Sequence, residues 1–527
     1  MAEPAEPQFS RLRSFLWPVH AHEMKKLIPM LLIFFLICFN YNILKAAKDA
    51  LVVTAKGSGA QVIPFIKTWV TLPGAFLLTL LFTRLNNRFR KEQTFYIMSG
   101  IFLGFFALFI TVLHPFDNYL HPEGFADTLT RVLPSGFSGL IAMIRNWTLT
   151  AFYVASDLWS SIMLQLLFWG FANDVTTVNE SKRFYGIFGI GANFSGVVAG
   201  EASVFISRLG TKGIIPGMAP LSTSLTLLCG IVILTGIAFM ALFRRLNTQV
   251  IQKSEVSEEW SVAKNKKPKT KLSMRENFAC LAKSKYLLCI AIIVLAYNIS
   301  INLVEVLWKD QVRLMLPDPV QFNAYMGRIV TITSLIATFT AIFVSGNVIR
   351  RFGWRFSALI PPVILLVTAI GFFGFVLGKS SGVGVYLPFF GSVSALSIAV
   401  FFGSVQNCLS RAAKYTLFDP TKEMTFIPLS PEDKLRGKAA IDGVGSRLGK
   451  SGGSLIYQVL FITVSSSMAA LTPIIGVVVF TLVFGWMGAV RSLSKRFKAE
   501  TQKMDERLQL EEVAVESPQT AAKPSSV

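Results

Sequence analysis

Apolar and polar positions in this chain segregate on a scale much longer than the two- or four-residue periods of a soluble fold. Apolar stretches of about 20 residues recur from one end to the other, each long enough to cross the hydrocarbon core of a bilayer as a helix. Twelve such spans are expected, at 27–46, 61–83, 94–113, 147–171, 184–207, 219–243, 286–308, 325–346, 356–378, 386–410, 436–464 and 469–490. The first two, 147–171 and 469–490 carry the strongest signal, whereas 184–207 and 436–464 are rich in glycine and weaker. The fold class expected is an all-α polytopic membrane protein.

The spans fall into two sets of six. A basic, polar segment at 244–285 separates an N-terminal half, 27–243, from a C-terminal half, 286–492, with tails at 1–26 and 493–527. Three short matches link the halves. Tyr41-Asn42-Ile43 recurs as Tyr297-Asn298-Ile299, and Arg88-Phe89-Arg90 as Arg351-Phe352-Gly353. The run ESKRFYGIFGIGANFSG, leading into the fifth span, has its counterpart in EDKLRGKAAIDGVGSRLG, leading into the eleventh. All three recur about 250 to 265 residues apart, as a duplicated six-span unit would produce. Two parallel six-span repeats resemble the plan of the major-facilitator transporters, in which the substrate site lies near mid-membrane.

Composition agrees with this. Of the 527 residues, 52% are hydrophobic and only 15% charged, against roughly 25% charged in an average soluble protein. The formal net charge of +21 sits largely in short loops: four Lys/Arg in TRLNNRFRKEQ, eleven in 244–285, three in NVIRRFGWR, and a basic start to the C-terminal tail. These segments share one side of the membrane if both termini are cytoplasmic, which is the pattern of the positive-inside rule. The excess therefore speaks for topology and lipid contact, and no nucleic-acid partner is expected. The N-terminus lacks the apolar core and cleavage site of a signal peptide. The five cysteines, Cys38, Cys229, Cys280, Cys289 and Cys408, form no CxxC pair, so neither a disulfide nor a metal site is expected.

Ionisable residues inside the spans are the candidates for function, because each costs a few kcal/mol in a bilayer core. Lys67 lies two turns into the second span, where the bland alternative is snorkelling to the interface. Asp157 lies near the middle of the fourth, too deep for its short side chain to escape, so it needs a cavity or a cationic partner. In the seventh span Asn298, Asn302, Glu305 and Lys309 share one helical face, and Glu305 and Lys309 stand in a stabilising i,i+4 relation. Tyr41, Lys45 and Lys48 form a related face on the first span, and Asn407, Arg411 and Lys414 one on the tenth. These lysines and Arg411 also fit interfacial flanks. The eleventh span sets Lys438, Asp442, Arg447 and Lys450 among six glycines. A planar arginine fork and a compact lysine charge both suit phosphate. The string GVGSRLGKS is not a P-loop, since Val444 stands where the first glycine is required and no strand precedes it. No HExxH, GxSxG or histidine constellation supports an enzyme. Cations outnumber acids among these positions, which favours a multiply charged anion as the solute.

Four strings narrow this further. NYNILKAAKDALVVTAKGSGAQVIPFIKTWV (40–70), LLFWGFANDVTTVNESKRFYGIFGIGAN (166–193), ISINLVEVLWK (299–309) and AKYTLFDPTKEMTFIPL with GKAAIDGVGSRLGKSGG (413–453) closely resemble the ATP/ADP translocase family of nucleotide transporters. Members of that family occur in plastids and in obligate intracellular bacteria, and the resemblance covers residues 25–490. It implies import of host ATP in exchange for ADP, with phosphate in some members, through the inner membrane of a bacterium. ATP, ADP and the bilayer are then the partners, no cofactor is needed, and the chain acts as a monomer. The resemblance also implicates Lys67, Asp157, Glu305 and Lys450; plastid members carry Glu at the position of Asp157. With Arg447, Lys309, Asn302, Asn298, Asn407, Lys48 and Asp442 these make up the candidate substrate-binding set. Two alternatives remain at this point: a proton-coupled nucleotide symporter of the same family, with Asp157 and Glu305 as proton carriers, and a non-transporting membrane scaffold.

Overall fold

The computed structural model describes residues 19–20, 23–176, 178–248, 284–343, 345–380, 394–438, 440–441 and 446–520. Among these the regular elements are helices, and no strand occurs. Twelve of the helices are numbered here: α1 Met24–Thr54, α2 Val62–Arg88, α3 Lys91–Leu113, α4 Trp147–Val175, α5 Val178–Thr211, α6 Pro220–Leu246, α7 Lys285–Met315, α8 Pro319–Phe343, α9 Ser345–Ser380, α10 Ala395–Ala413, α11 Ser446–Thr463 and α12 Met468–Thr520. Ten of them contain a stretch long and apolar enough to cross a membrane; α10 and α11 are the shorter and more polar pair. They occupy the places expected for the tenth and eleventh spans. The eleventh is divided: a short helix, Pro431–Lys438, precedes α11, and Asp442 lies outside the described residues.

Most helices outrun their hydrophobic stretches. α1 continues to Thr54 and so carries Lys48 and Asp49 within the helix. α2 runs to Arg88 and α3 begins at Lys91, which leaves Phe89 and Arg90 as the connection. Helical backbone satisfies its own hydrogen bonds, so ending it inside the bilayer is costly, whereas extending it past the interface is cheap. Stretches wound as π-helix among the described residues include Lys67–Thr71 in α2, Phe109–Leu113 closing α3, Ser160–Phe168 in α4, and Lys414–Phe418 directly after α10.

The duplication read from three short motifs reappears as duplicated local geometry. Asn42 donates from Nδ2 to the Cys38 carbonyl at 2.9 Å, and Asn298 to the Val294 carbonyl at 2.8 Å. Each asparagine faces a glycine of the corresponding later helix. A Cβ on Gly196 of α5 would sit 3.3 Å from Asn42 Nδ2, and one on Gly449 of α11 would sit 2.7 Å from Asn298 Cβ. The two Arg-Phe motifs each break a helix, at Phe89 in extended conformation and at Gly353 with φ of 78°. The arginine lies 5.7 Å from the neighbouring ring centroid in both, Arg88 over Phe89 and Arg351 over Phe352.

By contact density the chain forms two units. The first comprises 1–268, 306–339 and 457–470; the second comprises 269–305, 340–456 and 471–527. α7 thus contributes 285–305 to the second unit and 306–315 to the first. In the first unit α1 lies against α4, α5 and α6. Polar groups bond across these contacts: Asn40 donates to the Val232 carbonyl of α6 at 3.0 Å and Trp159 Nε1 of α4 to the Ile37 carbonyl at 3.1 Å. α5 and α8 approach backbone to backbone, with Asn323 donating to Ser207 at 3.0 Å. In the second unit Tyr297 stacks on Phe418 at 4.3 Å between centroids, and Trp486 of α12 meets both edge-on.

The α5–α8 contact depends on Gly200. A Cβ there would lie 2.3 Å from Thr331 Oγ1 and 2.5 Å from the Gly327 carbonyl oxygen, so a methyl group must push the helices apart. Gly200→Ala is expected to destabilise the protein by about 1–3 kcal/mol despite alanine's better helix propensity. A thermal unfolding midpoint in detergent below that of the unaltered chain checks this; an unchanged or raised midpoint contradicts it.

Candidate functional site

In the first unit the site begins with two consecutive charges on α1. At 3.6 residues per turn, neighbours point about 100° apart, and Lys48 and Asp49 accordingly meet different helices. Lys48 forms an ion pair with Asp157 of α4, and its Nζ also lies 4.0 Å from the centroid of the Tyr153 ring, one turn earlier on the same helix. Asp49 pairs with Lys309 of α7 at 2.8 Å. The two pairs differ in access to solvent. The Asp157 side chain is 34% exposed, whereas Lys309 and Asp49 are 2% and 1% exposed. A charge in hydrocarbon is too costly to leave facing lipid, so a one-third exposed carboxylate on a membrane helix implies contact with water. The Asp49–Lys309 pair is closed to solvent, and the second carboxylate oxygen of Asp49 makes no hydrogen bond.

Lys67 is half-buried and opens the π-helical segment of α2. That segment is pinned by Gln458 of α11, whose Nε2 donates to the Pro64 carbonyl at 3.0 Å and to Thr68 Oγ1 at 2.9 Å. Gln458 Oε1 accepts from Trp69 Nε1 at 2.9 Å. π-Segments within α-helices are frequent at functional sites because the added residue rotates those that follow. Sequence reading passed over Gln458; its signal was a lone amide in the apolar run LIYQVLF, a residue type that hydrogen-bonds across membrane helices.

In the second unit Glu305 of α7 accepts from Arg411 Nη2 of α10 at 3.0 Å, and Arg411 Nε donates to Asn407 Oδ1 at 3.2 Å. Glu305 is 15% exposed and Arg411 25%. Asn298 and Asn302 lie on α7 against Gly449 and Gly453 of α11, so the asparagine face of one helix meets the glycine face of the other. Within α11 the order is Arg447-Leu448-Gly449-Lys450, and the side chains of Arg447 and Lys450 lie outside the described part of the structure.

Several sequence expectations can be set against these positions. Helical spacing offered Lys309 as an intrahelical partner for Glu305. The structure gives each a partner on another helix, Asp49 for Lys309 and Arg411 for Glu305. Lys48 and Arg411, for which an interfacial flank was an alternative, are both engaged by carboxylates of membrane helices. Lys438 ends the short helix before α11 and pairs with Glu423. Burial raises the Glu423 carboxyl's pKa, but the hydrogen bond from Lys438 and the charge of Lys422 outweigh it and hold the group below the usual carboxylate range.

The model of the TLC ATP/ADP transporter family matches residues 2–497 of the chain. Among curated proteins, the chain is 45% identical to ADP,ATP carrier protein 1 of Chlamydia muridarum over 96% of its own length and 95% of the relative's. It is 44% identical to ADP,ATP carrier protein 1 of Chlamydia pneumoniae, covering 98% and 99%, and 42% identical to the chloroplastic ADP,ATP carrier protein 1 of Arabidopsis thaliana, covering 91% and 75%. Among solved structures, a bacterial homologue of the iron transporter ferroportin in its inward-facing state aligns with a TM-score of 0.53 at 15% identity, over 92% of this chain and 99% of that one. At that identity the likeness concerns the fold alone.

The Asp49–Lys309 pair generates a stability prediction. Removing one partner of a buried pair strands the other charge, at a cost of about 3–5 kcal/mol, while removing both with apolar residues costs much less. Asp49→Leu and Lys309→Met are each expected to lower the unfolding midpoint more than the double variant does. Additive losses in this cycle would show that the two side chains act independently.

Proposed function

The chain belongs to the TLC ATP/ADP transporter family, and from that premise we propose that it exchanges ATP for ADP across a bacterial inner membrane by alternating access. The observation that carries this reading is near-full-length identity of 45% to a chlamydial ADP,ATP carrier protein, in a chain whose membrane helices hold basic and acidic side chains. It is a transporter and not an enzyme. Import of host ATP against internal ADP, with phosphate accompanying ADP, and both termini in the cytoplasm belong to the same reading. The loop charges support that orientation.

In this mechanism Lys67, Arg447 and Lys450 hold phosphate oxygens. Lysine offers a compact charge with three donors, and arginine a planar fork that matches two phosphate oxygens at once. Asp157 and Glu305 act as counter-ions of cations in the unloaded protein. The engagement of both carboxylates by cations suits counter-ions better than proton carriers, which weighs against the symport reading. The polar atoms of Asn298, Asn302, Asn407 and Asp442 are assigned to orienting the charged groups and the nucleotide.

Uptake of labelled ATP into proteoliposomes tests this. Uptake is expected to require ADP inside the vesicles and to ignore an imposed pH gradient. Uptake that follows the proton gradient and is indifferent to internal ADP would replace exchange by symport. Lys450→Ala is expected to lower ATP uptake by about tenfold or more, the loss of one charge-assisted phosphate contact; unchanged uptake removes Lys450 from the phosphate set.

A further inference from the structure

The pair on α1 and α4 and the pair on α7 and α10 each join the first helix of a repeat to its fourth. Asp157 and Arg411 are 254 positions apart, and so are the starts of the π-helical segments that follow each of them, Ser160 and Lys414. On the partner helices, Asp49 and Glu305 are separated by 256 positions, the spacing of Tyr41-Asn42-Ile43 and Tyr297-Asn298-Ile299. Each repeat therefore joins its first helix to its fourth by an ion pair one turn before a π-segment, from the same position on the fourth helix; on the first helix the register differs by one residue, since Glu305 matches Asp49 and Val304 matches Lys48. The polarity is inverted. In the N-terminal repeat the first helix supplies the cation, Lys48, and the fourth the anion, Asp157; in the C-terminal repeat the first supplies the anion, Glu305, and the fourth the cation, Arg411.

The fourth-helix member keeps its place and changes sign, which is not what packing alone would ask of a duplicated contact. The Glu305–Arg411 pair is also accessible: Nη2 donates to a carboxylate oxygen at 3.0 Å, and both side chains retain solvent access on membrane helices. Asn407 holds Nε and thereby fixes the plane of the guanidinium. A phosphate oxygen presents the same acceptor chemistry as a carboxylate oxygen, with more negative charge.

We propose that Arg411 is a phosphate-binding residue of the transport site and that Glu305 holds its place, occupying the guanidinium in the unloaded protein and being displaced by a nucleotide phosphate. This rests on the nucleotide-exchange reading above. Glu305 then competes with the cargo for the same cation, which gives a signature that a purely structural ion pair lacks: removing the carboxylate must tighten nucleotide binding, and only while Arg411 is present.

The test is calorimetric binding of ATP and of ADP to the purified full-length chain, in four forms: unaltered, Arg411→Gln, Glu305→Gln and the double variant. Arg411→Gln is expected to weaken ATP binding by about tenfold or more, the loss of a charge-assisted hydrogen bond. Glu305→Gln is expected to tighten it several-fold and to have no effect when Arg411 is already glutamine. Arg411→Lys, which keeps the charge but loses the fork, is expected to fall between the unaltered and glutamine forms. The Glu305→Gln arm alone decides the matter if Arg411→Gln does not fold. Weaker binding in Glu305→Gln, equal changes in both backgrounds, or unaltered affinity in Arg411→Gln overturns the proposal while leaving nucleotide exchange intact. Failure of the unaltered chain to bind either nucleotide overturns the exchange reading as well.

Discussion

The cost of a charge in hydrocarbon organises this protein. A bilayer offers neither water nor a counter-ion, so a chain that keeps lysine, arginine, aspartate and glutamate on its membrane helices must supply the neutralising partner itself. Lys48, Asp49, Asp157, Glu305, Lys309 and Arg411 all meet that demand across helix boundaries. They do so in two ways. Asp49 and Lys309 are sealed from solvent and resemble the buried pairs that fix one helix against another. Asp157 with Lys48, and Glu305 with Arg411, keep partial access to water and so remain available for exchange of partners.

The repeat makes this division more than a sorting by exposure. Duplicated chains usually retain what packing requires, and this one retains the asparagine that bonds one turn back, the glycine facing it, and the arginine stacked on phenylalanine at the helix break. What has diverged is the charge on the fourth helix, Asp157 in one repeat and Arg411 in the other, and with it the first-helix residue that pairs there, Lys48 beside the acid that matches Glu305. Packing constraints do not force that change. Under the proposed function, opposite roles of the two repeats toward a single asymmetric solute, phosphates at one end and a neutral base at the other, would account for it.

The fold was largely legible in the sequence because its two strongest signals are local. Helix-length apolar runs placed ten long helices, and the duplicated motifs gave the repeat. The tenth and eleventh spans were the hardest, since Arg411, Lys450 and a cluster of glycines dilute the apolar signal where function needs polarity. The site was half legible. Composition picked out which charges sit in membrane helices, but not their partners, because a helix face fixes only which residues are neighbours along the helix. Glu305 and Lys309 stand one turn apart in every α-helix. That each finds a partner on another element is a property of helix packing, which no spacing encodes. Gln458, a neutral residue, carried no charge to draw attention to it, although it ties down the π-segment that starts at Lys67.

The solvent-accessible pairs have an electrical consequence. Moving one elementary charge through 100 mV of membrane potential is worth about 2.3 kcal/mol. An intact Lys48–Asp157 or Glu305–Arg411 pair carries zero net charge, so helices that shift with such a pair intact do no work against the membrane voltage on its account. Under the exchange of partners proposed above, the voltage would enter when a phosphate takes the carboxylate's place and the moving element acquires the charge of its cargo. A carrier wired this way leaves its own charged groups nearly silent to the field and lets the difference between incoming and outgoing solute set how strongly the potential drives exchange.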